Sequence, residues 1–185
     1  MFHSARAALA VIIPLAALAL GGCTRDRVEQ EPEGDMAESA SADLLDSGGQ
    51  LRARAMVTRA EDGLRVRVES LAMAPGAYGA HIHMVGHCDP PGFTSAGEHW
   101  NPQMRRHGRD NPQGQHMGDL PNLLVGADGR GSFEYFVAGA EISGREARDL
   151  LDEDGAAILV HAAPDDFRTD PSGNSGARIA CGVLR

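Results

Sequence analysis

The chain has 185 residues, enough for one domain with sequence to spare. Only 4% of residues are aromatic and 23 are glycine, which argues against a helix-dense domain and for many turns. A formal charge of −9, with all 17 basic residues arginine, argues against a nucleic-acid partner, which would require a basic face. The charge is uneven. Residues 24–50 carry eight acids against Arg25 and Arg27, a net of −6, while residues 51–185 carry 18 acids against 14 arginines, a net of −4.

Residues 1–22 read as a signal peptide: Arg6 supplies a positive start, and Ala7 to Leu20 is an apolar run too short for a lasting membrane span. The run ends in Leu20-Gly21-Gly22-Cys23, which resembles a bacterial lipobox and implies cleavage before a lipidated Cys23. The alternative is an ordinary secretory signal that leaves Cys23 free. Thr24 rather than an acid follows the cysteine, so the resemblance implies an anchored periplasmic lipoprotein of the outer membrane. If Cys23 carries lipid, Cys88 and Cys181 remain as a pair in an oxidising compartment. They are then either a disulfide, contributing on the order of 4 kcal/mol on a chain-entropy argument, or two buried inert thiols.

Residues 23–40 hold too little apolar content to fold and read as an acidic tether, with the domain at 41–185. A short first strand is expected at Ser41 to Leu45. Leu51, Ala53, Ala55 and Val57 then alternate with Arg52 and Arg54, and Leu64, Val66 and Val68 alternate with Arg65, Arg67 and Glu69. Glu61-Asp62-Gly63 between them predicts a hairpin turn. Further strands are expected at Tyr78 to Met84, Gly131 to Val137, Ala156 to Ala162 and Ala177 to Leu184. Residues 85–124, with five prolines and several glycines, read as a long metal-ordered loop. Residues 141–154 leave room for a helical turn around Leu150 and Leu151.

Seven side chains carry the chemistry. His81 and His83 lie two apart on a strand, so both point to one face and can grip one ion. His161, on another strand, can complete that side. The long loop supplies His99, His107, His116 and Asp119, three nitrogens and a carboxylate oxygen suited to a closed tetrahedral zinc site. His81, His83, His99 and His161 form a nitrogen set that suits copper and leaves one face open. Any one histidine alone would more often be a hydrogen-bonded surface or core residue. Seven potential ligands between positions 81 and 161 do not fit that account.

From about residue 41 to 184 the chain resembles the copper–zinc superoxide dismutases, particularly their bacterial exported branch. The matching segments are HIH at 81–83, GEHWNP at 97–102 and GDL at 118–120, followed by LVH at 159–161 and GNSGARIACGV at 173–183. The steps of eight, nine and three residues from His99 to His107, His116 and Asp119 resemble the family's zinc loop.

The resemblance implies an all-β fold, an eight-stranded antiparallel Greek-key barrel with long metal-binding loops. It implies one copper on His81, His83, His99 and His161, and one zinc on His99, His107, His116 and Asp119, with His99 bridging. It implies a disulfide at Cys88 and Cys181, and a role for Asp165 in linking His81 to His107. The implied reaction is dismutation. One superoxide gives up an electron and leaves as O₂, while a second takes that electron and two protons and leaves as hydrogen peroxide. Arg178 would attract the anion and His99 would carry a proton. The family includes monomers and homodimers, and the sequence leaves that choice open.

The match is loosest at residues 162–177, whose only cation is Arg168. Arg105, Arg106 and Arg109 either replace the lysines that steer substrate in some members or are merely solvated. His87 falls outside the ligand pattern. The main rival function is a copper and zinc buffer on the same barrel, which would show a lost ligand, a missing Arg178 or a blocked copper mouth, the last a point on which the sequence is silent. A structural envelope barrel would show decayed loop ligands. Neither a lost ligand nor a missing Arg178 is found.

Overall fold

A computed structural model describes residues 39–143 and 149–185. The signal peptide, the lipidation site at Cys23 and the tether up to residue 38 lie outside the described residues. Nine strand segments follow in order: β1 (Ser39–Leu45), β2 (Leu51–Ala60), β3 (Gly63–Ser70), β4 (Gly76–Tyr78), β5 (Ala80–His83), β6 (Leu123–Val125), β7 (Gly131–Ala138), β8 (Ala157–His161) and β9 (Arg178–Val183). Only Gly79 separates β4 from β5, so these are eight strands if that pair is taken as one. Among the described residues the only helix is a 3-10 turn at Thr94–Ala96.

Seven segments form one antiparallel sheet in the order β5-β8-β9-β1-β2-β3-β7, and β4 pairs with β6. The period-two pattern sets which side faces in. On β2, Ala53, Ala55 and Val57 are buried while Arg54 and Met56 are exposed; on β3, Leu64, Val66 and Val68 are buried. Ala60 pairs with Gly63, leaving Glu61 and Asp62 as a two-residue turn. The core gathers Leu44, Val57, Leu64, Val66, Ile82, Leu123, Ile142, Leu150, Ile158 and Val160.

β5 and β8 are buried on both faces, and this creates the site. Ala80 and Ile82 enter the main core with Ile158 and Val160. The opposite face carries His81 and His83 on β5 and Leu159 and His161 on β8, with His81 opposite Leu159. A second apolar cluster of Phe93, Ala96, Ala157, Leu159 and Cys181 supports that face, and the Cys88–Cys181 disulfide closes it.

Three expectations change. β1 begins at Ser39 rather than Ser41, so residues 39–40 are strand and not tether, because Ala40 is buried in the core. The stretch 85–124 ends inside a strand, β6, whose three residues are too few to show a period. Around residues 141–154 there is no helical turn among the described residues. Leu150 and Leu151 instead donate main-chain bonds to Glu141 and Ile142 at 2.8 and 2.7 Å, beside a bridge between Glu141 and Asp149, and Leu150 is buried in the core.

Candidate metal centre

The long loop is built onto the free edge of β5 by main-chain hydrogen bonds. Trp100 N–H donates to Ile82 O at 2.8 Å, Ile82 N–H to Gly118 O at 2.9 Å, and Gly118 N–H to Trp100 O at 2.8 Å. Bridges pair His83 with His99 and His81 with Asp119. Two candidate ligands of the loop are thus carried to those of the strand by backbone pairing. Gly118 has to be glycine, since a Cβ would collide with the Ile82 carbonyl.

Four ring nitrogens converge with no protein partner: His81 Nδ1, His83 Nε2, His99 Nε2 and His161 Nε2 are all buried without a hydrogen bond. The donor atoms of these residues lie within 4.8 Å of one another. The opposite nitrogen of each ring is engaged. His83 Nδ1 lies 2.9 Å from Gly97 O and His161 Nδ1 lies 3.2 Å from Gly176 O. His81 Nε2 lies 2.7 Å from Asp165 Oδ2, and His99 Nδ1 lies 3.0 Å from Asp119 Oδ1. A carbonyl can only accept, so His83 and His161 carry their proton on Nδ1 and aim a lone pair from Nε2.

Burial keeps these rings neutral. It pushes His81 down to about 3, against the opposing bond to Asp165, and His161 down to about 4. His83 and His99 are also lowered by burial. Orphaned buried nitrogens normally cost about 1–3 kcal/mol each, so four aimed at one point fit a metal ion that takes their lone pairs.

The second group is a small cage. Asp119 Oδ1 stands 3.0 Å from His99 Nδ1, 3.0 Å from His107 Nδ1 and 3.2 Å from His116 Nδ1, and His116 Nδ1 stands 3.4 Å from His99 Nδ1. A tetrahedral ion with bonds of about 2.0 Å separates its ligands by about 3.3 Å, so the spacing suits one. His81 also falls within 4.8 Å of His99, His107 and Asp119. Its Nε2 is committed to Asp165, however, and its Nδ1 belongs with the first four, so His116 is the better fourth donor. The other oxygen of Asp119 accepts the main-chain N–H of Gly108 at 2.8 Å and of His116 at 3.0 Å, fixing the carboxylate.

Asp165 spans the two groups. Its Oδ2 meets His81 Nε2, and its Oδ1 meets His107 Nε2 at 2.9 Å. Burial opposes its ionisation, but the bonds from His107 and His81 hold the carboxyl well below its usual range. Burial likewise pushes His107 down, yet its bonds to Asp119 and Asp165 outweigh that and carry it up to about 9. Gly173, at φ +63°, lies directly on the Asp165–His107 pair, where any side chain would collide with both.

Arg178 lies on β9 opposite His161. Its guanidinium donates to Phe93 O and Gly97 O, both at 2.7 Å, and stays partly exposed. The loop arginines are mostly engaged. Arg106 pairs with Asp170 at 3.2 Å, Arg168 with Asp110 at 3.7 Å, and Arg109 stacks 3.9 Å over Phe167. His87 is exposed and joins neither group.

Two side chains that bond to residues of the site carried no sequence signal. Asn122 donates to Asp165 O at 2.9 Å and accepts Asp165 N–H at 2.8 Å, a reciprocal clamp across 43 residues. Asp170 accepts the main-chain N–H of His107 at 2.7 Å.

Comparison with known proteins agrees with this architecture. A family model described as copper/zinc superoxide dismutase (SODC) matches residues 49–184. The chain is 37% identical over 186 residues to the Superoxide dismutase-like protein YojM of Bacillus subtilis (strain 168), covering 95% of both chains. It is 40% identical over 149 residues to Superoxide dismutase [Cu-Zn] of Caulobacter vibrioides, covering 80% of this chain and 86% of the relative. The crystal structure of a SOD-like protein from Bacillus subtilis superposes with a TM-score of 0.74 at 37% identity, covering 82% of this chain and all of that one. On fold and sequence together, the chain belongs to the copper/zinc superoxide dismutase family.

Proposed function

We propose that this protein is an exported superoxide dismutase, holding copper on His81, His83, His99 and His161 and zinc on His99, His107, His116 and Asp119. The observation that carries the reading is the set of four buried, unpartnered ring nitrogens aimed at one point beside a tetrahedral cage, with His99 common to both. Membership of the family supports the activity, as do relatives named Superoxide dismutase [Cu-Zn]. Copper, when bound, supplies a one-electron redox couple, and zinc supplies a fixed positive charge.

The chain's own groups do the rest. Asp165, Gly97 and Gly176 fix three imidazoles in the tautomer that presents a lone pair. The partly exposed Arg178 places a cation at the open face, where it attracts and orients an anion. Superoxide dismutases are themselves a standard example of such charge steering, in which fixed cations raise the rate of encounter with an anionic substrate. His99 Nε2 is the nitrogen at which a proton can be held and handed to the reduced product. The balance is two superoxide and two protons giving O₂ and hydrogen peroxide.

The same reading assigns the protein to the bacterial envelope, anchored at the outer membrane through a lipid on Cys23, where it would remove superoxide before it damages envelope components. The lipobox-like Leu20-Gly21-Gly22-Cys23 and the acidic tether support that assignment. Superoxide is the small-molecule partner, and self-association as a homodimer is open to sedimentation analysis. Superoxide dismutation by the purified protein, reconstituted with copper and zinc and compared with a zinc-only control, tests the function. Fast copper-dependent turnover is expected. Stoichiometric metal uptake without turnover would replace the enzyme with a metal buffer.

A further inference from the structure

Asp170 ties the segment between β8 and β9, residues 162–177, to the zinc side at a second point besides Asp165. Its Oδ1 accepts the main-chain N–H of His107 at 2.7 Å, and its Oδ2 accepts from Arg106 at 3.2 Å. The arm that delivers it is preformed by Asp166. That carboxylate collects the N–H groups of Arg168 and Thr169 at 2.9 and 2.8 Å, the Thr169 hydroxyl at 2.6 Å and the Asn174 amide at 2.9 Å.

Other ties between the two segments exist, but they act beyond the ligand. Asp110 N–H reaches Phe167 O at 3.1 Å, Arg109 stacks on Phe167, and Arg168 pairs with Asp110. Asp170 acts on the ligand residue itself. With Asp165 at Nε2 and Asp170 at the backbone, two carboxylates hold His107 at separate atoms and leave Nδ1 facing Asp119 for the metal. Charge-assisted bonds of this kind are short and strongly oriented. The ring cannot rotate, nor the main chain shift, without breaking one of them.

We infer that Asp170 is a positioning residue for the zinc side, fixing the main chain of His107 and so coupling metal uptake there to the order of residues 165–174. The inference rests on the assignment of His107 to zinc. Partners of this kind around a metal ligand typically change metal affinity about 10–100-fold when removed.

The test uses the full chain stripped of metal, with zinc ion alone titrated against a chromophoric chelator. Asp170→Ala should lower zinc affinity by about 10–100-fold. Asp170→Asn keeps the acceptor oxygen and should stay near wild type, as should Arg106→Ala, which removes only the ion pair. Hydrogen exchange gives a second readout: zinc should protect the amides of residues 166–174 in wild type and Asp170→Asn but not in Asp170→Ala. If Asp170→Ala does not fold, Asp170→Glu takes its place. It keeps the charge but displaces the oxygen from His107 N–H, and should lose affinity as well. Equal affinity of Asp170→Ala and wild type overturns the inference. So does a loss in Asp170→Asn as large as in Asp170→Ala, since charge and not the main-chain bond would then be at work. A wild-type protein that takes up no zinc would overturn the functional reading instead.

Discussion

His83 and Arg178 meet at a single oxygen atom. The carbonyl of Gly97 faces the Nδ1–H of His83 at 2.9 Å and accepts the guanidinium of Arg178 at 2.7 Å. The group that orients His83, a proposed copper ligand, is therefore also the group that anchors Arg178, the cation proposed to attract the anion. A shift in the Gly97 segment would move both at once.

Arg178→Ala should therefore slow copper-dependent turnover by about tenfold or more and flatten its dependence on ionic strength. Copper content should hold, because the remaining Nδ1–H bond of His83 still fixes its tautomer. Steady-state rates across a salt series, with metal analysis, check this. An unchanged salt slope would place the steering elsewhere. Arg105 would be the first alternative, since Arg106, Arg109 and Arg168 are already paired or stacked.

His161→Ala separates the two sides. His161 offers Nε2 to the proposed copper group and meets the proposed zinc group through His99, the residue common to both. Dismutation should be abolished while zinc stoichiometry stays at one per chain, read by elemental analysis after dialysis. Retained activity would remove His161 from the copper site.

Metal and disulfide should each stabilise the fold. The Cys88–Cys181 bond closes a loop with a sequence separation of 93 residues, for which chain entropy gives about 4.6 kcal/mol. Reduction should then lower the melting temperature by about 10 °C. A chelator should lower it further, because zinc binds only the folded cage. Calorimetry of the four combinations of chelator and reductant checks both, and indifference to either would contradict its assignment.

The metal-free protein should be most stable near pH 6.5. His81 and His161 have folded values of about 3 and 4, below 6.5, so the unfolded chain binds more protons and stability falls as pH drops below 6.5. Asp119 and Asp165, held low in the fold, add to the acid loss once pH falls below about 3.8. His107 works the other way. With its folded value raised to about 9, its contribution is complete below pH 6.5 and is lost as pH rises through 9. Urea midpoints of the metal-free protein across this range should trace a maximum, and a monotonic rise would refute the His107 environment.

The sequence by itself determined the strands with clear alternation, β2 and β3 above all, because a half-buried strand must place apolar side chains at every second position. It also singled out the candidate ligands, since few functions need six histidines and an aspartate at such intervals, and the fold gathers these side chains into two adjoining groups. That His81 and His83 share a face follows from the same period of two. What only the tertiary structure decided lies where contacts are long-range and made by the backbone. The short strand β6, the clamp of Asn122 on Asp165, the hold of Asp170 on His107 and the shared carbonyl of Gly97 leave no periodic trace. A main-chain carbonyl is the same atom in every residue, so its partner is chosen by where the fold brings it and not by the letter at its position.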